Sequence, residues 1–165
     1  MYLSLSNFKN DWASEYDATL TTLNGLTNAS LTAPMPANIR TIATLAWHIV
    51  YSVSEMLNHT ELKIEALAVS VPANLTVTML IDEYKKTNTA FVAAIDAWEY
   101  NQLTVKVPMY GEEWTKGKLL QIIMHHQIHH RAQLGVLMRI AGLAVLGVYG
   151  PSKEDWTAMG MAPMQ

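Results

Sequence analysis

Four of the six histidines of this chain lie in one short segment, at positions 125, 126, 129 and 130. Residues four apart lie on the same face of a helix, so His126 pairs with His130 and His125 pairs with His129. Neutral imidazole is the commonest protein ligand for transition metals, and such a pair can present two nitrogens to one ion. Two ligands hold an ion weakly, so a third is expected from elsewhere, and His48 lies in another apolar helical segment. These residue types and spacings predict a metal site with imidazole ligands.

The pair that faces the interior can be predicted from the apolar residues around it. On a helix over about residues 116–141, at about 100° per residue, the apolar side points nearest His130 and within about 60° of His126. His125 and His129 lie roughly 115–155° from that direction, so we expect them on a solvated face or at the rim of the site. Core histidines that are hydrogen-bonded to buried carbonyl groups are the alternative interpretation of the inward pair.

A site with three histidines from two helices leaves coordination positions open for water or substrate, which is typical of catalytic metal sites. A metal ion held in this way lowers the pKa of bound water or holds a thiol as its thiolate. Gln127 follows His126, whereas H-E-x-x-H metalloproteases carry a glutamate there, so a zinc protease is disfavoured. The Glu-x-x-His pattern of di-iron bundles is not present either. Imidazole ligation suits Zn, Ni, Cu or Fe.

Four further polar residues are candidates to support the ligands. Ser52 and Glu55 follow His48 by about one and two turns on the same helix face, although a solvated helix edge is the alternative interpretation of Glu55. Gln133 is close in angle to the inward histidine pair, and Arg131 flanks that pair.

Four long segments with helical periodicity must position these residues. They cover about residues 4–26, 39–57, 77–98 and 116–141. We expect Asn38 to cap the second helix and Thr115 to cap the fourth. An alternating stretch between residues 101 and 114 predicts a short extended excursion or hairpin, which could cover the mouth of a bundle. Because no linker or repeat divides the chain, we predict an all-α fold in which residues 1–165 form one four-helix-bundle domain.

The composition excludes several classes of protein. Half of the 165 residues are hydrophobic and 15% are charged, which is typical of a folded domain and not of a disordered chain. The net charge is −3, without a run of Lys or Arg, so nothing indicates nucleic-acid binding. The chain has no cysteine, which excludes disulfides, thiolate–zinc sites and a cysteine nucleophile. Without signal-peptide features or an apolar run of about 18 residues, we expect a cytoplasmic protein that does not insert into membranes.

Three stretches together resemble the DinB-like (DinB/YfiT-like) superfamily, a group of metal-binding four-helix bundles, over essentially the whole chain. These are Thr44-Leu45-Ala46-Trp47-His48-Ile49, His126-x-x-x-His130-Arg131-Ala132-Gln133 and Tyr149-Gly150-Pro151-Ser152. The resemblance implies that His48, His126 and His130 bind one divalent ion per chain, such as Zn or Ni, with water completing the shell. It also implies a homodimer through helix faces, for which apolar residues off the core stripe, such as Ile122, Met124 and Ile128, are candidates. Ala132 stands where many members carry glycine, and both residues are small.

The resemblance leaves the reaction open, because function depends on the site and not on the fold. Some relatives resemble thiol-S-transferases that use low-molecular-weight thiols, and others resemble thiol-dependent isomerases. Our first hypothesis is therefore a metal-dependent enzyme of the thiol-S-transferase type, in which a low-molecular-weight thiol attacks a small electrophilic substrate. The alternatives are a metal-dependent hydrolase, a non-catalytic metal-binding or ligand-sensing bundle, and a structural module with core histidines.

Overall fold

Four long helices form the body of the molecule in a computed structural model, which describes residues 1–163. They are Leu5–Asn24 (α1), Ile42–Leu57 (α3), Val77–Ile95 (α4) and Lys116–Ile140 (α5), and two short helices are Asn28–Leu31 (α2) and Lys153–Ala158 (α6). The mostly helical fold and the four-helix bundle predicted from the sequence are confirmed. Within residues 1–163, no helix is both long enough and apolar enough to cross a membrane.

The long helices pack in a ring. α3 packs against α4 and α5, and α1 packs against the same two helices from the other side. Because α5 contacts both α1 and α3, its buried surface is wider than the single stripe that the sequence predicts. Met124, expected off that stripe, is therefore buried in the core, and Ile122 and Ile128 pack partly against it.

Polar residues form a layer across the middle of the bundle, between two apolar clusters. One cluster includes Phe8, Trp12 and Phe91, and the other includes Leu23 and Leu134. Between these positions along the helices lie the buried polar residues Glu15, Thr19, Ser52, Thr87, Gln127, His130 and Arg131. Buried polar groups need partners. Arg131 of α5 pairs with Glu15 and Thr19 of α1, and Gln127 Nε2 donates to the Ile49 carbonyl of α3 at 2.9 Å.

The excursion before α5 is a β-hairpin, as the alternating sequence predicts. A 3₁₀ helix at Tyr100–Thr104 leads into strands Lys106–Met109 (β1) and Glu112–Thr115 (β2), which pair antiparallel. The connecting residues Tyr110 and Gly111 have φ values of 51° and 84°. Two successive positive φ values are the geometry that joins two strands by a two-residue turn.

The caps of α3 and α5 differ in how well the sequence predicts them. Thr115 caps α5 as expected, and its Oγ1 accepts a hydrogen bond from the Lys118 backbone N–H at 3.1 Å. The prediction that Asn38 caps α3 is wrong, because Thr41 is the cap and the helix begins at Ile42. Asn38 has a φ of 66°, a left-handed conformation that asparagine adopts more readily than most residues, and it forms a turn before the helix.

Candidate metal centre

Three imidazole nitrogens converge where α3 faces α5. The Nε2 atom of His48 lies 3.1 Å from Nε2 of His126 and 3.1 Å from Nε2 of His130. Ligand atoms of the three residues all lie within 4.8 Å of one another. A tetrahedral ion with bonds of about 2.0–2.1 Å to nitrogen would place its ligands about 3.3 Å apart, which is close to the two distances from His48. The three histidines could therefore hold one metal ion.

The other ring nitrogen of each histidine has an oxygen partner. The Nδ1 distances are 2.8 Å from His48 to the Tyr51 hydroxyl, 3.4 Å from His126 to Ser52 Oγ and 2.8 Å from His130 to Gln133 Oε1. In the tautomer that donates Nδ1–H to these oxygens, every Nε2 has a free lone pair. Metal-ligating histidines almost always donate their second N–H in this way, so the hydrogen-bond partners suit metal ligands.

The pKa values of the three rings favour the neutral form that binds metal. Burial is the largest cause, and it lowers the pKa of His48 to about 4 and that of His126 to about 3. Burial also lowers the pKa of His130, although the hydrogen bond with Gln133 acts in the opposite direction. Repulsion between the rings and from Arg40 adds to the lowering. At neutral pH the group therefore presents three uncharged imidazoles.

Of the residues that the sequence predicts as supports, Ser52 and Gln133 lie beside the histidines, as the distances above show. Glu55 lines the cleft that also contains His48 and His126, where its carboxylate accepts a hydrogen bond from the Tyr110 hydroxyl at 2.6 Å and pairs with His59 Nε2 at 3.1 Å. Sequence reasoning missed Tyr51, although it follows His48 by one helical turn, a spacing that signals contact.

Arg131 does not flank the metal-site histidines as the sequence predicts. It is buried on the α1 side of α5, where it forms an ion pair with Glu15 and donates to Thr19 Oγ1 at 3.2 Å. The reason is helix geometry, because one residue beyond His130 is a rotation of about 100° around the axis. Arg131 therefore joins α5 to α1 instead of supporting the histidines.

The remaining histidines stand outside the three-histidine group of residues 1–163. His125 and His129 are exposed, and His129 Nε2 accepts a hydrogen bond from Gln133 Nε2 at 3.0 Å. His59 pairs with Glu55 on the surface. The helical wheel thus separates the inward pair from the outward pair on α5.

Two clefts border the histidines on different sides. The first, of about 550 Å³, lies between the turn before α3 and the last turns of α5, and it reaches His130 and Gln133. The second, of about 480 Å³, lies next to the hairpin and is lined by His48, His126 and Tyr110, among others. Both clefts have room for a small molecule next to the candidate metal position.

Comparisons with known proteins relate both the chain and its fold to one family. A family model, described as the DinB family, matches residues 1–163. The uncharacterised protein YrdA of Bacillus subtilis strain 168 is 36% identical over 162 residues, covering 98% of this chain and 97% of YrdA. A crystal structure of a DinB-like protein from Bacillus cereus ATCC 10987 has a TM-score of 0.83 and 36% identity, covering 90% of this chain and 100% of the other. The DinB-like protein YjoA from Bacillus subtilis shares the fold at a TM-score of 0.67 and 18% identity, covering 88% and 99% of the two chains. The chain belongs to the DinB family.

Proposed function

We propose that this protein is a metal-dependent enzyme that binds one divalent transition metal, Zn or Ni, through His48, His126 and His130. The observation that supports this most strongly is the convergence of three Nε2 atoms whose rings each have an oxygen acceptor at Nδ1. Core histidines without a metal would be expected to pair each ring with a carbonyl group, whereas here the Nε2 atom of His48 faces the Nε2 atoms of His126 and His130.

In this proposal, residues of the chain hold the ion and orient its histidine ligands. Tyr51, Ser52 and Gln133 fix the tautomer and the orientation of the rings, which places the Nε2 lone pairs toward a common point. Three protein ligands leave at least one coordination position for an exogenous group, and the two clefts give access to it. A divalent ion supplies Lewis acidity there, which lowers the pKa of a thiol or a water molecule that binds it.

The reaction that we propose is transfer of a low-molecular-weight thiol to a small electrophilic substrate. The thiol proton passes to solvent, the sulfur forms a bond to the electrophilic carbon, and the leaving group departs with the electron pair of the bond that breaks. The chain has no cysteine, so the thiol must come from a cosubstrate. The cytoplasm, where we place the protein, keeps such thiols reduced. Two clefts beside one ion suit a reaction with two substrates.

Metal binding can be tested on protein purified without an affinity tag. We expect about one divalent ion per chain by mass spectrometry of the metal content, and a large loss when any one of His48, His126 or His130 is replaced by Ala. His59→Ala is the matched control, since it removes a histidine outside the group and should keep the metal. Equal metal content in the wild type and the triple Ala variant would end the proposal.

The reaction can be tested by a screen that pairs glutathione-like and bacterial low-molecular-weight thiols with model electrophiles, next to thiol-free esters and amides. We expect turnover in the thiol set that a chelator abolishes and added Zn or Ni restores. Metal-dependent turnover of the esters or amides alone would contradict the transferase proposal and favour a metal-dependent hydrolase. No turnover of either set by fully loaded protein would indicate a metal-binding or ligand-sensing bundle.

A further inference from the structure

The three arginines of the chain have different surroundings. Arg131 is buried and paired with Glu15, and Arg139 pairs with Glu154 at 2.6 Å between Nη2 and Oε2. Arg40 is exposed, and within residues 1–163 no carboxylate lies within the 4.0 Å of its guanidinium that would make an ion pair. Arg131 and Arg139 therefore stabilise the fold through ion pairs. Arg40 forms no such pair within residues 1–163, so its charge is available to a ligand.

A constrained turn sets the position of Arg40. The Ile39 backbone N–H donates to the Pro36 carbonyl at 3.2 Å, and Asn38 has its left-handed φ of 66° inside this turn. Thr41 then caps α3, so Arg40 is held between a closed turn and the first residue of a helix. The backbone at Arg40 is thus fixed before any ligand binds, which reduces the entropy cost of recognition by its side chain.

The cleft beside Arg40 combines one cation with apolar walls. Ile39, Val136 and Ile140 line it and are 45%, 60% and 48% exposed, while Leu45 and Leu137 form its buried side. Its polar lining consists of Asn38, Arg40, His129, His130 and Gln133, without an aspartate or glutamate. This lining complements a molecule with a hydrocarbon body and a single negative charge.

The same cleft reaches the metal centre. His130 is both a wall of the cleft and one of the three converging histidines. One small molecule can therefore contact Arg40 at one end and approach the candidate metal position at the other.

We propose that the cleft between the turn at residues 38–40 and the end of α5 binds a small carboxylate, with the carboxylate on Arg40 and the hydrocarbon part along Ile39, Val136 and Ile140. This rests on the proposed function, because it assigns the carboxylate to one of the two reactants. A planar guanidinium fits the two oxygens of a carboxylate, and one arginine balances one negative charge. Arg40 is then a specificity-determining residue, and its charge selects the reactant that enters this cleft.

The test uses hexanoate, hexan-1-ol and hexylamine as probes in NMR titrations of the full chain, both metal-loaded and metal-stripped. We expect hexanoate to bind about tenfold tighter than the alcohol or the amine in both forms, with amide shifts at Ile39, Val136 and Ile140. Arg40→Gln should remove that preference, and Arg40→Lys should keep part of it. Lys85→Gln removes one exposed cation from α4, outside the cleft lining, and should bind hexanoate like the wild type.

The outcomes separate this proposal from the proposed function. Equal hexanoate affinity in Arg40→Gln and the wild type would overturn the role of Arg40, whether or not the protein holds metal. If hexanoate binding is lost when the metal is removed but is unchanged in Arg40→Gln, the ion binds the carboxylate directly. That result would overturn the role of Arg40 and leave the proposed function in place. A protein without metal would end the proposed function, while the stripped-form titration would still decide whether Arg40 recognises carboxylates.

Discussion

The position of one proton on each imidazole decides whether the three histidines can bind an ion. A ring that donates Nδ1–H presents a lone pair at Nε2, and a ring with the opposite tautomer does not. Tyr51, Ser52 and Gln133 lie at the Nδ1 atoms and are placed to select the binding tautomer. We therefore expect residues that do not touch the ion to influence its affinity.

The variant Tyr51→Phe tests whether the Tyr51 hydroxyl contributes to metal affinity, because it removes only that oxygen atom. We expect the affinity for Zn to fall about 10-fold to 100-fold, because the hydroxyl that accepts from His48 Nδ1 is removed while the ring remains. Competition with a chromogenic chelator measures the change. Tyr16→Phe, on a ring that stacks on Tyr84 in α4, removes a comparable hydroxyl away from the site and should leave the affinity unchanged. An unchanged affinity in Tyr51→Phe would show that the hydroxyl does not orient the ligand.

The stability of metal-stripped protein should depend on pH below 6.5. Unfolded histidine has a pKa of about 6.5, whereas burial lowers the pKa of His48 to about 4 and that of His126 to about 3 in the folded chain. Between pH 6.5 and about 4 the unfolded state binds more protons, so the free energy of unfolding falls as the pH falls. We expect a lower Tm at pH 5 than at pH 7, and a smaller difference in a variant with Gln at positions 48, 126 and 130.

The same pKa values change the expected pH range of metal binding. Free imidazole, with a pKa of about 6.5, predicts loss of metal below that pH. Because the folded rings of His48 and His126 protonate only near pH 4 and 3, we expect the protein to retain its ion at pH 5.5 in dialysis against metal-free buffer. Release of most of the metal already at pH 6 would contradict this expectation.

At the scale of the helix, two adjacent residues of α5 belong to two different side-chain clusters. His130 faces α3 and the candidate metal position, and Arg131, rotated by about 100°, faces α1 and pairs with Glu15. The Glu15 carboxylate also accepts a hydrogen bond from the Tyr149 hydroxyl at 2.6 Å. The buried pair therefore ties α1, α5 and the segment between α5 and α6 together.

Removing one partner of this buried pair should destabilise the fold without changing the metal site. We expect Arg131→Met to lower the free energy of unfolding by about 3–5 kcal/mol, because Glu15 would keep a buried charge without its partner. The double variant Glu15→Leu with Arg131→Met should recover much of that loss. Chemical denaturation measures both values, and Zn affinity should stay at the wild-type level. A large loss of Zn affinity in the folded double variant would place Arg131 in the metal site after all.

At the scale of the whole molecule, the homodimer remains a prediction. Of the residues that the sequence suggests for it, Met124 is buried and Ile122 and Ile128 pack partly against the core, whereas Leu146 and Val148 after α5 are 51% and 36% exposed. Exposed apolar side chains on the segment after α5 favour association. We expect light scattering at micromolar concentration to give twice the chain mass of 18.4 kDa. A mass of one chain over that range would contradict the dimer.

The sequence by itself determined the features that depend on neighbours within a few residues. Helical periodicity defined four long helices, the alternating stretch before α5 predicted the hairpin, and the wheel turned His126 and His130 inward. Each of these follows from local geometry, because residues three or four apart share a helix face whatever the rest of the chain does. The same logic would have found Tyr51, one turn beyond His48.

Only the tertiary structure decided which faces meet. His48 and His130 are 82 residues apart, and Arg131 and Glu15 are 116 apart, so their contacts depend on the packing of α5 against both α3 and α1. The cleft beside Arg40 likewise depends on packing, because the turn before α3 and the last turns of α5 line it together although they are far apart in the sequence. Hydrophobic periodicity indicates which face of a helix is buried, but the arrangement of the whole bundle decides which element packs against that face.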